Sequence, residues 1–323
     1  MSENQNITDV NQESTSTASI TETTTKPITK IGQVTIIGKP NAGKSTLLNS
    51  ILGVKLSIVT PKPQTTRKNV LGIYSENNTQ IIFVDTPGII KPKYEMQNIM
   101  MNYVDRSLDE TDVICIIIDL SEYKTDKEYF HSSVVEKINN AKKPLILLLN
   151  KIDTFLDIKS ILPIMAKFQA EGIYKEIIPI SARKSSNIDE VIKAIEKYLP
   201  EGHFLYDEET LSTQTERFFV SEIIREQIFL KFSEEIPYST EISITEFKER
   251  ENGKWFINAE IIVEKKNQKM IMIGKNGDKI KAVGEKAREA IEEHLQMPIY
   301  LELFVKVRDN WRENPTLLKS YGY

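Results

Sequence analysis

The sequence GKPNAGKS at residues 38–45 constrains the fold more than any other segment of the chain. It follows a short β-branched run at residues 33–37 and opens a helical pattern near Lys44. Glycines at this spacing let backbone N–H groups face a phosphate at the positive end of a helix. An ordinary glycine-rich turn is the alternative, but the strand before it and the helix after it favour a phosphate-binding loop, or P-loop.

Short β-branched runs alternate with helical patterns from residue 31 to residue 200. Strands are predicted at residues 33–37, 70–74, 80–84, 113–119, 144–150 and 176–180. Helices are predicted at residues 44–52, 95–111, 126–139, 158–171 and 188–199. This alternation predicts a mostly parallel sheet with helices on both faces, an α/β fold whose functional residues collect at the carboxyl ends of the strands.

A second domain is expected after residue 200, because 323 residues exceed what one compact core usually needs. Residues 201–215 are acidic and polar and are interpreted as a linker. Residues 216–310 predict an α+β domain: a helix at 216–232, strands at 240–247 and 254–264, a short apolar piece at 270–273, a helix ending near Leu295, and a strand at 299–308. Residues 1–30 are predicted to be a disordered tail and residues 311–323 a carboxy-terminal tail.

The composition narrows the class of protein. A net charge of -4 argues against a chain that coats nucleic acid, so any RNA contact requires a local basic surface. The single cysteine, Cys115, lies in an apolar run and cannot form an internal disulfide, which fits a reducing cytosol. No stretch approaches the ~20 apolar residues of a membrane span. A cytoplasmic protein is therefore expected.

The sequence DTPG at residues 85–88 directly follows the predicted strand at residues 80–84. An aspartate at this strand end, Asp85, is expected to hold Mg²⁺ through its water shell. The Gly88 N–H can meet a γ-phosphate and so sense its loss. The D-x-x-G pattern alone is weak evidence for a nucleotide site, because it is common. Its spacing from the phosphate loop makes this evidence strong.

The sequence NKID at residues 150–153 points to guanine. The carboxylate of Asp153 can accept hydrogen bonds from N1–H and the exocyclic amine of guanine, a donor pair that adenine lacks. Asn150 is expected to tie this loop to the phosphate loop, and the stem of Lys151 to cover one face of the base. Ser181 and Ala182 follow the last strand and would place a backbone N–H near guanine O6. The four elements in this order predict a guanine-nucleotide site.

Residues 57–67, between the phosphate loop and DTPG, form a polar segment that a nucleotide could order and release. One threonine here should contact Mg²⁺ and the γ-phosphate; Thr65 and Thr66 are both candidates, with a slight preference for Thr65. Lys44 would reach the β- and γ-phosphates and Ser45 would hold Mg²⁺. The residues expected to act in the reaction are Lys44, Thr65, Thr66 and Gly88. The full predicted nucleotide set is Gly38, Lys39, Pro40, Asn41, Ala42, Gly43, Lys44, Ser45, Thr46, Asp85, Thr86, Pro87, Gly88, Asn150, Lys151, Asp153, Ser181 and Ala182.

With these motifs the chain resembles the Era family of bacterial GTPases over about residues 31–310. The segments that carry the resemblance are GKPNAGKSTLLN, PQTTRKNVLGI, DTPGI, NKID, ISA, SEIIREQIF, EIPYS, IGKNGDKIKAVG and LFVKV. The resemblance implies a GTPase domain joined to a KH-type RNA-binding domain of type II topology. It also implies a GTPase that binds the 3′ end of 16S ribosomal RNA and assists assembly of the small ribosomal subunit. A monomeric protein that uses Mg²⁺ and does not bind DNA is expected. A peripheral contact with the inner face of the plasma membrane is a further expectation.

Two residues bear on the mechanism that this resemblance implies. Ile89 follows DTPG where many GTPases carry a glutamine that orients the attacking water. Isoleucine cannot hydrogen-bond that water, so slow intrinsic hydrolysis is expected. Asn41 resembles the asparagine that binds K⁺ in related GTPases, which makes a K⁺-dependent rate a hypothesis.

The sequence GKNG at residues 274–277 predicts the RNA-contacting loop. In KH domains a GxxG turn packs its backbone against nucleic-acid phosphates. Residues 264–288 contain eight basic residues and three acidic ones, a local basic surface in an acidic chain. A solvated charged helix is the alternative. The predicted RNA-binding residues are Gly274, Lys275, Asn276, Gly277, Lys279 and Lys281.

Other classes of protein fit the sequence less well. NKID argues against an ATPase. A translation factor would carry a β-barrel-like domain after the GTPase domain, and none is predicted here. A double GTPase requires a second phosphate loop, and this sequence has only one. A constitutive RNA-binding protein with a purely structural nucleotide stays open, because the water-orienting glutamine is missing. The expected mechanism is a clamp in which GTP orders residues 57–67 and 88–93, changes how the two domains sit together, and opens the RNA groove until hydrolysis.

Overall fold

The computed structural model describes residues 29–123, 132–251 and 253–323. Two sheets divide this part of the chain into two domains. Almost all of the predicted tail at residues 1–30 lies outside the described residues. Its last residue, Lys30, begins the first strand, because it pairs with Thr79 of a neighbouring strand.

The first domain is built on a six-stranded sheet. Its strands are β1 (Lys30–Ile37), β2 (Val70–Glu76), β3 (Thr79–Asp85), β4 (Val113–Asp119), β5 (Leu145–Asn150) and β6 (Glu176–Pro179). Its helices are α1 (Lys44–Leu52), α2 (Glu95–Glu110), α3 (Ser132–Asn140), α4 (Leu162–Glu171) and α5 (Ile188–Glu196). The strand order is β2-β3-β1-β4-β5-β6, with β2 antiparallel to β3 and the other pairs parallel. The predicted α/β fold class is confirmed.

Apolar residues on both faces of the central strands explain why helices cover the sheet twice. Every residue of β3, β4 and β5 is buried. One apolar cluster joins the sheet to Leu48 of α1 and Val191 of α5, and another joins it to Leu108 of α2 and Phe168 of α4. Parallel strands held in this way bring the loops after β1, β3, β5 and β6 to the same edge of the sheet.

The second domain has the order helix–strand–strand–helix–helix–strand. Its elements are α6 (Glu216–Lys231), β7 (Glu241–Lys248), β8 (Trp255–Val263), α7 (Lys266–Ile273), α8 (Asp278–Leu295) and β9 (Ile299–Val307). β8 pairs antiparallel with β7 and parallel with β9. The helices bury Ile224, Ile228 and Ile291 against Ala259 and Ile261 of β8. This arrangement confirms the expected α+β domain with type II KH topology.

Three predicted segments, two helices and one apolar piece, differ in the structure. The helix predicted at residues 126–139 is observed as α3, and residues 124–131 lie outside the described part of the chain. The helix predicted at residues 158–171 is a 3-10 helix, Ile158–Ile161, followed by α4, whose first turn contains the proline that an α-helix tolerates there. Residues 270–273 are the end of α7, and only one side of that turn faces the core, so Met272 is buried while Met270 is exposed.

The predicted linker and tail both pack onto the domains. Residues 201–215 contain no helix or regular strand, but the Ile73 N–H of β2 donates to the Leu211 carbonyl at 2.8 Å. Residues 311–323 are not a loose tail: a 3-10 helix (Trp311–Glu313) and α9 (Pro315–Ser320) bury Trp311 and Leu318 against Met96 and Met100 of α2. The apolar side chains of this segment explain why it fills the space between the domains.

Among the described residues, no helix is long and apolar enough to cross a membrane.

Candidate nucleotide and RNA sites

A cavity of about 750 Å³ lies at the edge of the first sheet where the strands end. Predicted site residues line it: Pro40, Asn41, Gly43, Lys44, Ser45, Thr46, Thr65, Thr66, Gly88, Asn150, Lys151, Asp153 and Ala182. Gly38, Lys39, Ala42, Asp85, Thr86, Pro87 and Ser181 lie in the same loops but do not line the cavity. Sequence reasoning did not single out Gln64, Glu122, Thr154 and Arg183, which also line it. Gln64, Thr154 and Arg183 each adjoin a predicted residue, and Glu122 lies three residues after the predicted strand at residues 113–119. These positions were the only available signal.

The phosphate loop has the backbone geometry of a strand-to-helix turn. Gly43 adopts φ 105°, and a Cβ atom there would lie 2.2 Å from the side-chain nitrogen of Asn150. Only glycine fits this position without strain. α1 begins at the next residue, so its first N–H groups and its positive dipole end face the cavity.

Lys44 is a buried cation at the start of α1, only 5% exposed. Its Nζ donates to the carbonyl oxygens of Gly38 at 3.2 Å and Lys39 at 3.0 Å. Burial lowers the pKa of Lys44 to about 8, and nearby Asp85 partly opposes this shift. An anionic group in the cavity would favour the charged ammonium, which is the chemistry that a phosphate provides.

Oxygen atoms from three segments meet beside Lys44. The Ser45 hydroxyl donates to Asp85 Oδ2 at 2.6 Å and lies 2.9 Å from Thr66 Oγ1. Asp85 Oδ1 is buried and has no hydrogen-bond partner among the described residues. Burial raises the pKa of Asp85, while hydrogen bonding from Ser45 and the charge of Lys44 act against this. Clustered carboxylate and hydroxyl oxygens with one unused carboxylate atom suit a hard divalent cation.

The two candidate threonines face different ways. The Thr65 hydroxyl lies 2.7 Å from Thr60 Oγ1 and donates to the Lys62 carbonyl at 2.7 Å. The Thr66 hydroxyl instead lies beside Ser45. The structure therefore brings Thr66, rather than Thr65, to the oxygen cluster.

The far end of the cavity joins three loops through Asn150. Its Nδ2 donates to the Ala42 carbonyl at 2.7 Å, and its Oδ1 accepts the Ala182 N–H at 3.0 Å. The Ser181 hydroxyl donates to the exposed Asp153 carboxylate at 2.6 Å, which orients it. Lys151 forms an ion pair with Asp119 at 2.5 Å. Asp153 thus presents an oriented hydrogen-bond acceptor at the edge of the cavity.

Ile89 offers no polar side-chain atom for a water molecule. Its N–H donates to the Gly38 carbonyl at 3.1 Å, and its side chain packs against the apolar cluster beneath α2.

The predicted RNA loop joins α7 to α8. Gly274 has φ 76° and ψ −174°, and a Cβ atom there would lie 2.2 Å from an oxygen of Asp278. Residues Lys275–Gly277 form a short 3-10 turn, and Lys275, Asn276, Lys279 and Lys281 are exposed. The structure thus brings the predicted basic residues together at the start of α8.

The sequence analysis missed a contact between the segment at residues 57–67 and the second domain. Arg67, 2% exposed, donates to the carbonyl of Thr240 at 2.6 Å and that of Pro237 at 2.9 Å, and pairs with Glu241 at 3.2 Å. The Tyr323 hydroxyl donates to the same Glu241 carboxylate at 2.7 Å. Lys62 donates to carbonyls of α6 and its carboxyl end. Arg67 and Glu241 are 174 positions apart, and no local sequence pattern indicates that they form a pair.

Comparisons with known proteins agree with this geometry. The profile of the 50S ribosome-binding GTPase family matches residues 33–151, and that of the KH domain matches residues 235–312. GTPase Era of Clostridium botulinum is 42% identical over 294 residues, which cover 91% of this chain and 98% of that protein.

Two solved structures match almost along their whole length. A crystal structure of Era in complex with MgGDPNP and nucleotides 1506–1542 of 16S ribosomal RNA is 41% identical, with a TM-score of 0.88 and coverage of 91% of this chain and 99% of that one. A variant of Aquifex aeolicus Era bound to GDP·AlF₄⁻ is 42% identical, with a TM-score of 0.86 and the same coverage. This chain therefore belongs to the Era family, and it is a GTPase with a carboxy-terminal KH domain.

Proposed function

We propose that this protein is a GTP-gated switch that binds 16S ribosomal RNA near its 3′ end and assists assembly of the small ribosomal subunit. The observation that carries the proposal is the double role of residues 57–67, here called switch I. Switch I lines the nucleotide cavity through Thr66 and contacts the KH domain through Arg67, the next residue. The likeness to an Era structure with bound 16S ribosomal RNA supports the identity of the RNA.

The proposed nucleotide complex uses the residues already described. Ser45, Asp85 and Thr66 would hold Mg²⁺, which supplies positive charge to the β- and γ-phosphates when bound. Thr66 is preferred to Thr65 because its hydroxyl lies beside Ser45. Lys44 would contact the phosphates, and Asp153 would select guanine. Because Ile89 cannot orient water, intrinsic hydrolysis is slow.

The proposed coupling between the nucleotide site and the KH domain arises because Thr66 and Arg67 are consecutive residues. A γ-phosphate that holds Thr66 also fixes Arg67 against Glu241 of the KH domain. Hydrolysis removes that restraint, and the KH domain then changes its position and releases RNA. In this proposal GTP keeps the RNA groove open until the particle has matured.

Binding of a short single-stranded RNA from the 3′ end of 16S ribosomal RNA tests the RNA assignment. The variant carries Lys275→Asp and Asn276→Asp in the GxxG loop. A matched control carries Lys142→Asp and Asn140→Asp, the same change of charge at exposed positions of the GTPase domain. We expect the loop variant to lose at least about tenfold in RNA affinity, since both backbone approach and phosphate charge are disturbed. Equal affinity of the loop variant and the control would contradict the assignment.

A K⁺ ion bound through Asn41 is a second part of the proposal. Asn41 lines the nucleotide cavity, and its Nδ2 donates to the switch I carbonyl of Pro61 at 3.0 Å. An ion bound by the Asn41 oxygen would add positive charge near the phosphates. The GTPase rate should then be higher in KCl than in NaCl, and Asn41→Ala should abolish the difference. Equal GTPase rates of the unaltered protein in KCl and NaCl would exclude a functional K⁺ site at Asn41.

Cytoplasmic location, a monomeric state and a peripheral membrane contact stay predictions. Sedimentation of the purified protein at several concentrations tests the monomer. Co-sedimentation with anionic lipid vesicles, compared with neutral vesicles, tests the membrane contact.

A further inference from the structure

Two glutamines link switch I to residues 88–93, here called switch II. The backbone N–H of Lys93 donates to Gln97 Oε1 at 2.8 Å. Gln97 Nε2 in turn donates to Gln64 Oε1 at 3.0 Å. Gln97 belongs to α2 and is 4% exposed, so this chain of hydrogen bonds is held in place by packing.

The backbone N–H fixes the direction of both amides. An N–H of the main chain can only donate, so the oxygen of Gln97 faces Lys93 and its NH₂ group faces Gln64. The oxygen of Gln64 is therefore occupied. Its NH₂ group makes no hydrogen bond to any other residue that the structure describes.

Gln64 also lines the nucleotide cavity, together with Thr66 and Gly88. Its backbone has φ 59°, the left-handed region that non-glycine residues rarely adopt. Such conformations persist where the surrounding structure imposes them, and they occur often at functional sites. A half-buried amide donor is thus held beside the elements expected to contact the γ-phosphate.

We infer that the NH₂ group of Gln64 donates a hydrogen bond to the γ-phosphate as negative charge develops there during hydrolysis. A donor oriented before the reaction stabilises such charge without reorganisation. Gln64 would thereby stabilise the transition state at the γ-phosphate, a contribution that does not depend on a glutamine after DTPG. Gln97 is a positioning residue, because it holds Gln64 only when switch I and switch II are both in place. The inference rests on the cavity being the GTP site.

Single-turnover GTP hydrolysis by three variants tests this inference. Gln64→Leu removes the donor and keeps the size of the side chain, Gln97→Leu removes its support, and Gln169→Leu is a matched control at an exposed position of α4. GDP affinity and formation of the GDP·AlF₄⁻ complex are measured for each variant. GDP lacks the γ-phosphate and AlF₄⁻ occupies its place, so the pair separates a role in the reaction from a role in folding.

We expect Gln64→Leu to slow hydrolysis at least about tenfold and to weaken the GDP·AlF₄⁻ complex, with GDP affinity unchanged. Gln97→Leu should give a smaller loss of the same kind, and Gln169→Leu none. A Gln64→Leu rate within twofold of the unaltered protein would overturn the inference. Equal losses in GDP and GDP·AlF₄⁻ binding would also overturn it, because they indicate a structural role. RNA binding with a non-hydrolysable analogue is measured in parallel, so failure here is distinguishable from failure of the proposed function.

Discussion

At the scale of single residues, the nucleotide site contains two buried charged groups, Lys44 and Asp85, whose hydrogen-bond partners are mostly neutral. Lys44 contacts two carbonyl oxygens, and Asp85 accepts one hydroxyl hydrogen bond while its other oxygen has no described partner. Such groups cost free energy in the isolated protein, and a magnesium–phosphate ligand offsets that cost on binding. Binding should therefore depend on the protonation of Lys44.

Nucleotide affinity is expected to fall as pH rises above the pKa of Lys44. That pKa is about 8 without a phosphate, and a bound phosphate raises it by favouring the ammonium. Well below pH 8 the Lys44 side chain is already protonated before the nucleotide binds, so nucleotide affinity is at its maximum. Above pH 8 a proton must be taken up, so affinity should fall by up to about tenfold per pH unit. Titrations of GDP between pH 7 and 9 test this, with Lys44→Gln as the control. An equal decline in the control would assign the effect to other groups.

The guanine assignment predicts a change of base preference. Asp153→Asn replaces an acceptor by a side chain whose NH₂ group can donate to the C2 carbonyl of xanthine, where guanine carries its amine. GTP affinity should fall by about 100-fold, the effect of losing hydrogen bonds to a charged group, while xanthosine triphosphate binds better than before. Competition binding with the two nucleotides measures both changes. An unchanged preference would exclude Asp153 as the residue that reads the base.

At the scale of elements, sequence spacing predicted the strand-end motifs well and the direction of adjacent side chains poorly. Asn150 and Asp153 could be placed because they follow an apolar run that can only be a buried strand. Thr65 and Thr66 could not be distinguished, since two neighbours in an irregular segment face directions that only the packed structure defines. Glu241 could not be predicted as the partner of Arg67, because 174 positions separate them.

The two glycines of the GxxG loop should differ in their tolerance of alanine. Both have positive φ, but a Cβ at Gly274 would overlap Asp278, whereas a Cβ at Gly277 meets no atom within 4 Å. Gly277→Ala should cost about 1 kcal/mol of folding free energy from backbone strain alone, and Gly274→Ala clearly more. Urea denaturation of the two variants measures the difference. Equal costs would contradict the loop geometry.

At the scale of the whole molecule, switch I, the KH domain and the carboxyl terminus share one buried cluster. Burial would raise the pKa of Glu241, but the charges of Lys68, Arg67 and Arg225 lower it below its ordinary value. Tyr323, the last residue of the chain, hydrogen-bonds the same carboxylate. The segment predicted as a tail is thus part of the contact through which the nucleotide site meets the KH domain.

Removing one member of this cluster should be costly. Arg67→Ala leaves Glu241 buried without its nearest cation, and broken buried ion pairs typically cost about 3–5 kcal/mol. The double variant Arg67→Ala with Glu241→Gln should regain part of that loss, because the unpaired charge is gone. Urea denaturation of the single and double variants measures this coupling. A loss below about 1 kcal/mol for Arg67→Ala would show that the contact does not hold the domains together.

The most direct test of the GTP-gated switch is the affinity for the 3′-end RNA of the protein loaded with GDP or with GDPNP. Coupling between two sites typically changes affinity 5- to 150-fold, so we expect RNA binding at least about fivefold tighter with GDPNP. Tyr323→Phe, which removes only the hydroxyl that bonds Glu241, should narrow this difference. Equal RNA affinity in both nucleotide states would contradict the account, because the KH domain would then bind RNA without regard to the nucleotide.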